Sequence, residues 1–341
     1  MKRILNTLYV TTQGAYLRKE GESVVVRIEK ENKLRLPLLS ISGIVTFGNV
    51  LCSPFLLGSC AKHGISVNML TEYGHYLGSF AGPASGNVLL RRTQYRWADD
   101  PEKTDSVVRS IVSGKVANAR QVLLRTLREN PDNSDLKKAV GHLKGTINRL
   151  QDEQLTSDNM RGMEGDAAKV YFGVFNELVA VNDKRLVFGG RSRRPPMDRI
   201  NALLSFVYTL LYNDTKGALE SVGLDSAVGF LHRDRPGRNG LALDLMEEMR
   251  SFWADRLALT LINRQQLSAK DFDVSDSGSV LLNEKGRKTV LVAWQKRKQD
   301  ELTHPFTNER MVLGLLPFLQ AQLLARHMRG DLDAYPPFFW R

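Results

Sequence analysis

At 341 residues the chain is longer than one ordinary domain and points to two, and its 42% hydrophobic and 25% charged residues are those of a folded globular protein. Lysine and arginine (48) outnumber aspartate and glutamate (37), a net charge of +11 that favours polyanionic partners such as nucleic acid. The longest apolar run, Ala202 to Tyr212, is too short for a membrane span, and Asn6, Thr7, Thr11, Thr12 and Gln13 interrupt the apolar stretch an export signal needs, so a cytoplasmic protein with no membrane contact is expected.

The N-terminal part alternates with the period of strands at Leu5-Thr7-Tyr9, Val24-Val26-Ile28, Leu34-Leu36 and Ile44-Thr46, with turn signals at Gln13-Gly14, Lys19-Glu20-Gly21-Glu22 and Glu31-Asn32. Ser53 to His63 predicts a short helix opened by a Ser-Pro cap, followed by strands at Ile65 to Leu70 and Tyr76 to Phe80. Cys52 and Cys60 have neither zinc-knuckle nor redox-pair spacing and read as buried thiols. The small-residue stretch Ala81 to Gly86 reads as a linker, which sets the domains at 1–86 and 87–341. Beyond it amphipathic periods predict helices over 88–98, 103–128, 133–153, 160–179, 196–213, 216–224, 241–261 and 307–329, with one strand pair, Ser279–Leu282 beside Lys288–Val292. The charge runs Lys184–Arg194 and Lys285–Lys298 read as loops or solvated hairpins. The expected fold class is α+β in two domains, a small mainly β N-terminal domain and a larger all-α C-terminal domain.

Glu164 stands four, seven and eight residues before Ala168, Tyr171 and Phe172, and so shares a helix face with inward-pointing apolar residues. A carboxylate there needs a cation, a metal or a strong hydrogen-bond partner, unless it is simply a first-turn Glu favoured by the helix dipole. His232 precedes a loop broken by Pro236, Gly237 and Gly240, and Asp244 and Glu247 follow three apart on one helix face. Two carboxylates and an imidazole suit Mg²⁺ or Mn²⁺, which could act on a phosphodiester, whereas an Asp-x-x-Glu pair can also be a solvated face. Arg233, Arg235 and Arg238 fill the same loop and could bind flanking phosphates. His63, His75, His142, His304 and His327 lack a second ligand at metal spacing, and Trp97, Trp253, Trp294 and Trp340 read as packing residues. Serine-hydrolase, nucleotide-phosphate, zinc-protease and dinucleotide signatures do not occur.

The ordered set Gly162-Met-Glu164-Gly-Asp-Ala-Ala with Tyr171-Phe172, Pro195-Pro-Met-Asp-Arg-Ile-Asn-Ala-Leu-Leu-Ser-Phe-Val-Tyr208, Gly229-Phe-Leu-His232, Asp244-Leu-Met-Glu247 and Tyr335-Pro-Pro-Phe-Phe-Trp340 resembles the CRISPR-associated spacer integrases of the Cas-one family, most closely the type I-C branch. The resemblance is collinear over the whole chain. It implies metal ligation by Glu164, His232 and Glu247, the last replacing an Asp common among relatives, with Asp244 in a supporting role. It further implies a homodimer formed through the β domains, two such dimers clamping a Cas-two dimer in a heterohexamer, and a link to a Cas-four nuclease. The implied reaction joins the 3′-hydroxyls of a short DNA duplex to the CRISPR array by metal-assisted transesterification. Two alternatives stay open at this point: a structure-specific nuclease acting on branched DNA, and a non-catalytic DNA-binding scaffold.

Overall fold

The structure, a computed structural model, describes residues 6–72, 76–80 and 88–340, and the chain divides into two compact units, Met1–Gly86 and Asn87–Arg341. Leu5, His75 and the stretch Ala81 to Gly86 lie outside the described residues. The first unit runs β1 (Asn6–Val10), β2 (Tyr16–Glu20), β3 (Ser23–Ile28), β4 (Glu31–Pro37), β5 (Ile41–Phe47), β6 (Leu51–Cys52), α1 (Pro54–His63), β7 (Ser66–Leu70) and β8 (Tyr76–Phe80). In one sheet β1, β5 and β7 are parallel and β8 pairs antiparallel at the edge. In the other, β2, β3 and β4 form an antiparallel meander and β6 lies parallel to β2.

Alternate residues of a strand point to one side, so Leu17, Val24, Val26 and Ile44 meet Leu56 and Cys60 of α1 in a common core. Burial pushes the Cys52 and Cys60 thiols up to about 11, which keeps both protonated at neutral pH. Ser53 caps α1 by accepting from the Leu56 amide, as the Ser-Pro signal predicts. Two turns are tighter than expected. Glu20 pairs with Ser23 across Gly21-Glu22, and Ile28 pairs with Glu31 across Glu29-Lys30, both at positive φ. The turn expected at Glu31-Asn32 therefore lies two residues earlier, because a two-residue hairpin demands left-handed backbone at its centre and Glu29-Lys30 supplies it without glycine.

The second unit begins with α2 (Val88–Asp99), α3 (Pro101–Glu129), α4 (Ser134–Arg149), α5 (Ser157–Gly173) and α6 (Arg199–Ser221). It continues with α7 (Gly240–Met249), a π-turn over Arg250–Asp255, α8 (Arg256–Asn263), β9 (Phe272–Val274), β10 (Val280–Leu282), α9 (Glu284–Lys298), β11 (Glu301–Thr303), β12 (Arg310–Val312) and α10 (Leu316–Met328). Asp100, Asn133, Thr156, Asp198 and Asn283 each accept backbone amides at a helix start, which fixes where α3, α4, α5, α6 and α9 begin.

Several expectations change here. The all-α description is approximate, because β9 with β10 and β11 with β12 form two short antiparallel ribbons. Lys288–Val292 is not a strand: Asn283 starts α9 ahead of it, and Val290, Leu291 and Trp294 form a buried helical face whose Trp294 stacks on Trp253 at 4.6 Å. The Lys285–Lys298 charge run is thus helical, and β10 pairs with β9 instead. The helices expected over 196–213 and 216–224 are one helix, α6, where burial of both Lys216 and Ala218 carries Gly217 through without a break. The helix expected over 307–329 starts only at Leu316, because the preceding residues are spent on the ribbon of β11 and β12. The helix expected over 160–179 ends at Gly173, and a 3₁₀ turn follows at Phe175–Leu178.

Candidate active centre

Three elements supply the centre. Lys115 comes from the middle of α3, Glu164 from α5 and Glu247 from α7. The Lys115 ammonium hydrogen-bonds to Glu164 Oε1 and stands 2.7 Å from Glu247 Oε2. Glu247 Oε1 accepts from Arg250 Nη1 at 2.7 Å. Glu247 is almost wholly buried, and its Oε2 accepts no hydrogen bond of good geometry despite the nearby ammonium. Burial alone would raise its pKa, but Arg250, Lys115 and His232 outweigh burial and hold the carboxylate below its usual range.

His232 and Asp244 are joined by a different set of bonds. Asp244, fully buried, accepts the Phe230 and Leu231 amides on Oδ2 at 2.6 and 3.0 Å and the His232 amide on Oδ1 at 2.9 Å. His232 Nδ1 also lies 2.6 Å from Asp244 Oδ1. A carboxylate only accepts, so Nδ1 carries the proton and Nε2 is the nitrogen not tied to Asp244. Two glycines permit this loop to press on α7. A Cβ at Gly229 would lie 2.6 Å from the Gly240 carbonyl carbon and 2.8 Å from Asp244 Oδ2, and one at Gly240 would lie 2.9 Å from the Ala227 carbonyl oxygen.

The structure therefore brings Glu164 and Glu247 together through Lys115 and places Asp244 behind His232, whose charge adds to that of Arg250 and Lys115 in lowering the Glu247 pKa. Among the described residues, no three His, Cys, Asp or Glu side chains stand close enough to hold a metal ion as they are. The donor chemistry still suits a divalent cation. Two carboxylates already share one positive charge, Glu247 Oε2 has no directed partner, and a histidine whose other nitrogen is tied to a buried carboxylate is oriented as metal-ligating histidines are.

Lys115 and Arg250 escape the sequence reading. Lys115 shares a face with Ile111 and Ala119, one turn away on either side, so it is a charge on an apolar stripe, the same signal that singles out Glu164. Of the loop arginines, Arg233 is exposed and pairs with Asp158 at 2.7 Å, while Arg161 of α5 also pairs with Asp158. An open groove of about 460 Å³ is bounded by Tyr95, Asp99, Asp158, Arg161, Phe230 and Arg233. A second of about 240 Å³ is lined by Asp234, Arg235, Pro236 and Arg238. Burial lowers the Arg238 pKa, and Arg235, Arg194 and Arg193 lower it further, so the charge run at 184–194 adds to the same basic surface.

On its other side α7 fastens the C-terminal tail. Glu248, also fully buried, accepts from Tyr335 Oη at 2.6 Å, from Gln320 Nε2 at 2.7 Å and from the Phe338 amide at 2.8 Å. Asn118 of α3 donates to the Glu248 and Phe338 carbonyls and accepts the Trp340 amide. Gly114 makes room, since a Cβ there would lie 3.1 Å from Pro337 and 3.2 Å from Glu248.

A basic chain whose helical unit holds a cation-bridged acid pair beside arginine-lined grooves is built as a nucleic-acid-processing protein. It belongs to the CRISPR associated protein Cas1 family, whose profile matches residues 8–296. The chain is 55% identical to the CRISPR-associated endonuclease Cas1 1 of Chlorobaculum tepidum, over 100% of both chains. It is 33% identical to a CRISPR-associated exonuclease Cas4/endonuclease Cas1 fusion of Geobacter sulfurreducens, over 98% of this chain and 60% of the fusion. Among solved structures it shares its fold with a casposase bound to integration product, at TM-score 0.83 and 22% identity, covering 99% of this chain and 95% of that one.

Proposed function

We propose that this chain is a CRISPR-associated endonuclease that works as an integrase, inserting short duplex DNA as new spacers into the CRISPR array by attack of each 3′-hydroxyl on a phosphodiester. The observation that supports this most strongly is the meeting of Glu164 and Glu247 from distant helices at one ammonium, within a chain of the Cas1 family. Glu164, Glu247 and His232 Nε2 are the groups that would hold a divalent cation, Mg²⁺ or Mn²⁺. Such an ion, when bound, acidifies the attacking hydroxyl and offsets charge on the phosphoryl and leaving oxygens. Asp244 fixes the tautomer and direction of His232, and Arg250 holds Glu247 in one orientation. Arg233, Arg235 and Arg238 grip phosphates beside the reacting bond, so the DNA itself supplies alignment.

The first unit is the homodimer surface in this reading, and it exposes Leu39, Leu51, Phe55 and Leu77, with Phe55 at 84%. Two dimers would clamp a Cas2 dimer in a heterohexamer, and the fusion of a Cas1 relative to Cas4 supports a Cas4 nuclease as a further partner. The tail Tyr335–Trp340 supports placement in the type I-C branch. A cytoplasmic site of action belongs to the same reading; no helix among the described residues is long and apolar enough to cross a membrane.

The test is a joining assay with a labelled short duplex and a supercoiled plasmid carrying the repeat, with Cas2 present. Joined product is expected from the unaltered chain and is lost in Glu164→Ala and His232→Ala, with DNA binding retained. Hydrolysis without joining would assign the centre to a structure-specific nuclease, and joining unaffected by both substitutions would remove it from the chemistry.

A further inference from the structure

We infer that Lys115 is an internal counter-cation of the acidic centre, which a divalent ion must displace in order to bind. The inference rests on the metal assignment proposed above. The ammonium lies between two of the three proposed ligand side chains, on Glu164 Oε1 and 2.7 Å from Glu247 Oε2. An ion held by the same carboxylates would need that position.

The two cations on Glu247 are not equivalent. Arg250 makes a directed 2.7 Å hydrogen bond to Oε1 and packs its guanidinium over the Tyr208 ring at 4.5 Å. It is fixed from two sides. Lys115 makes its aligned hydrogen bond to Glu164, and its 2.7 Å contact with Glu247 Oε2 is an ion pair of poorer alignment. An ammonium on a flexible stem is a movable point charge, whereas a guanidinium is a rigid fork. The Lys115 side chain is 14% exposed, which leaves it a way out to solvent. Lys115 is the cation that can leave.

Charge balance points the same way. Glu164 and Glu247 are balanced by Lys115 and Arg250. A divalent ion that entered beside both cations would meet two positive charges in a largely buried place, which is costly, and withdrawal of Lys115 removes one of them.

Two measurements on the full-length protein test this without reference to activity. Mn²⁺ binding, read from the spin-resonance signal of the free ion in the absence of DNA, is compared among the unaltered chain, Lys115→Met, Lys115→Arg and Glu164→Gln. Lys115→Met is expected to bind on the order of tenfold more tightly than the unaltered chain. Lys115→Arg, whose fork can engage both acids, binds more weakly. On the unaltered chain, acetylation of Lys115 by a small amine reagent, followed by mass spectrometry, speeds up several-fold when Mn²⁺ is added. This second measurement decides the matter if Lys115→Met does not fold. Mn²⁺ that binds the unaltered chain but not Glu164→Gln, together with Lys115 acetylation indifferent to Mn²⁺ or an unchanged affinity in Lys115→Met, overturns the inference and leaves the metal assignment standing. Absence of Mn²⁺ binding in the unaltered chain and in Lys115→Met overturns both.

Discussion

Glu247 and Glu248 are the same residue type, adjacent on α7 and both buried, yet they enter opposite electrostatic surroundings. Glu247 meets Arg250, Lys115 and His232, which overcome burial and keep it ionised. Glu248 meets only neutral donors, the Phe338 amide, Tyr335 and Gln320, and burial outweighs them, pushing its pKa up to about 7. Burial is common to both, so the formal charge of the partners decides. A helix advances about 100° per residue, and that rotation lets α7 set an ionised carboxylate beside Lys115 and Arg250 on one side and a carboxyl that titrates at about 7 against the C-terminal tail on the other.

The largest expected effect comes from removing the ionised member. Glu247→Ala leaves Arg250 in a buried place without its carboxylate, at a cost of about 3–5 kcal/mol in unfolding free energy, toward the lower end because Lys115 keeps Glu164. Strand joining should fall by about 10³-fold or more. Denaturant titration and the joining assay read the two effects separately. A variant that joins DNA at close to the normal rate would erase the functional side of the contrast.

Glu248→Gln probes the other side and is expected to act on stability through pH. Glu248 titrates at about 7 in the folded chain against an ordinary value of 4.5, so between those values the folded state holds a proton that the unfolded state has lost. Its contribution is present below about 4.5 and is lost as pH rises toward 7. Glutamine imitates the neutral acid and removes this loss, so the variant should gain about 1–3 kcal/mol on the unaltered chain between pH 5 and pH 8. Parallel stability curves over that range would show that the tail does not hold a nearly neutral acid.

The contrast between these neighbours explains what the sequence could reveal. Glu164, His232, Asp244 and Glu247 stand out because each is a polar group at a place where local spacing predicts an apolar face or a broken loop, and the structure brings them to α5, α7 and the loop between α6 and α7. Lys115 sits on an apolar stripe too, but its partner Glu164 is 49 residues away, beyond any helical spacing, and a lone lysine reads as a side chain stretched to solvent. Glu248 was hidden for the same reason, since its partners lie 72 to 90 residues further on. In the fold, local signals located most strands of the first unit, though not β2 or β6, and most helix starts. They failed at Lys288–Val292, where Val290 and Val292 favour a strand but the stack of Trp294 on Trp253 rewards a helix. Tertiary packing overrode propensity there.

The smallest stability effect should come from charges that are not buried at all. Arg233 reaches Asp158 at 2.7 Å, but its side chain is 70% exposed and that of Asp158 is 62% exposed. Water screens such a pair, and Asp158 keeps Arg161 as a second partner. Arg233→Ala should therefore unfold at the same denaturant concentration as the unaltered chain, in direct contrast to Glu247→Ala. Its effect belongs to DNA. If Arg233 grips a phosphate, its removal releases one fewer counterion on binding, and the slope of log Kd against log salt should shrink by about one while preference among DNA sequences stays the same. A salt slope equal to that of the unaltered chain would assign Arg233 to the Asp158 pair alone and move the phosphate contacts to Arg235 and Arg238.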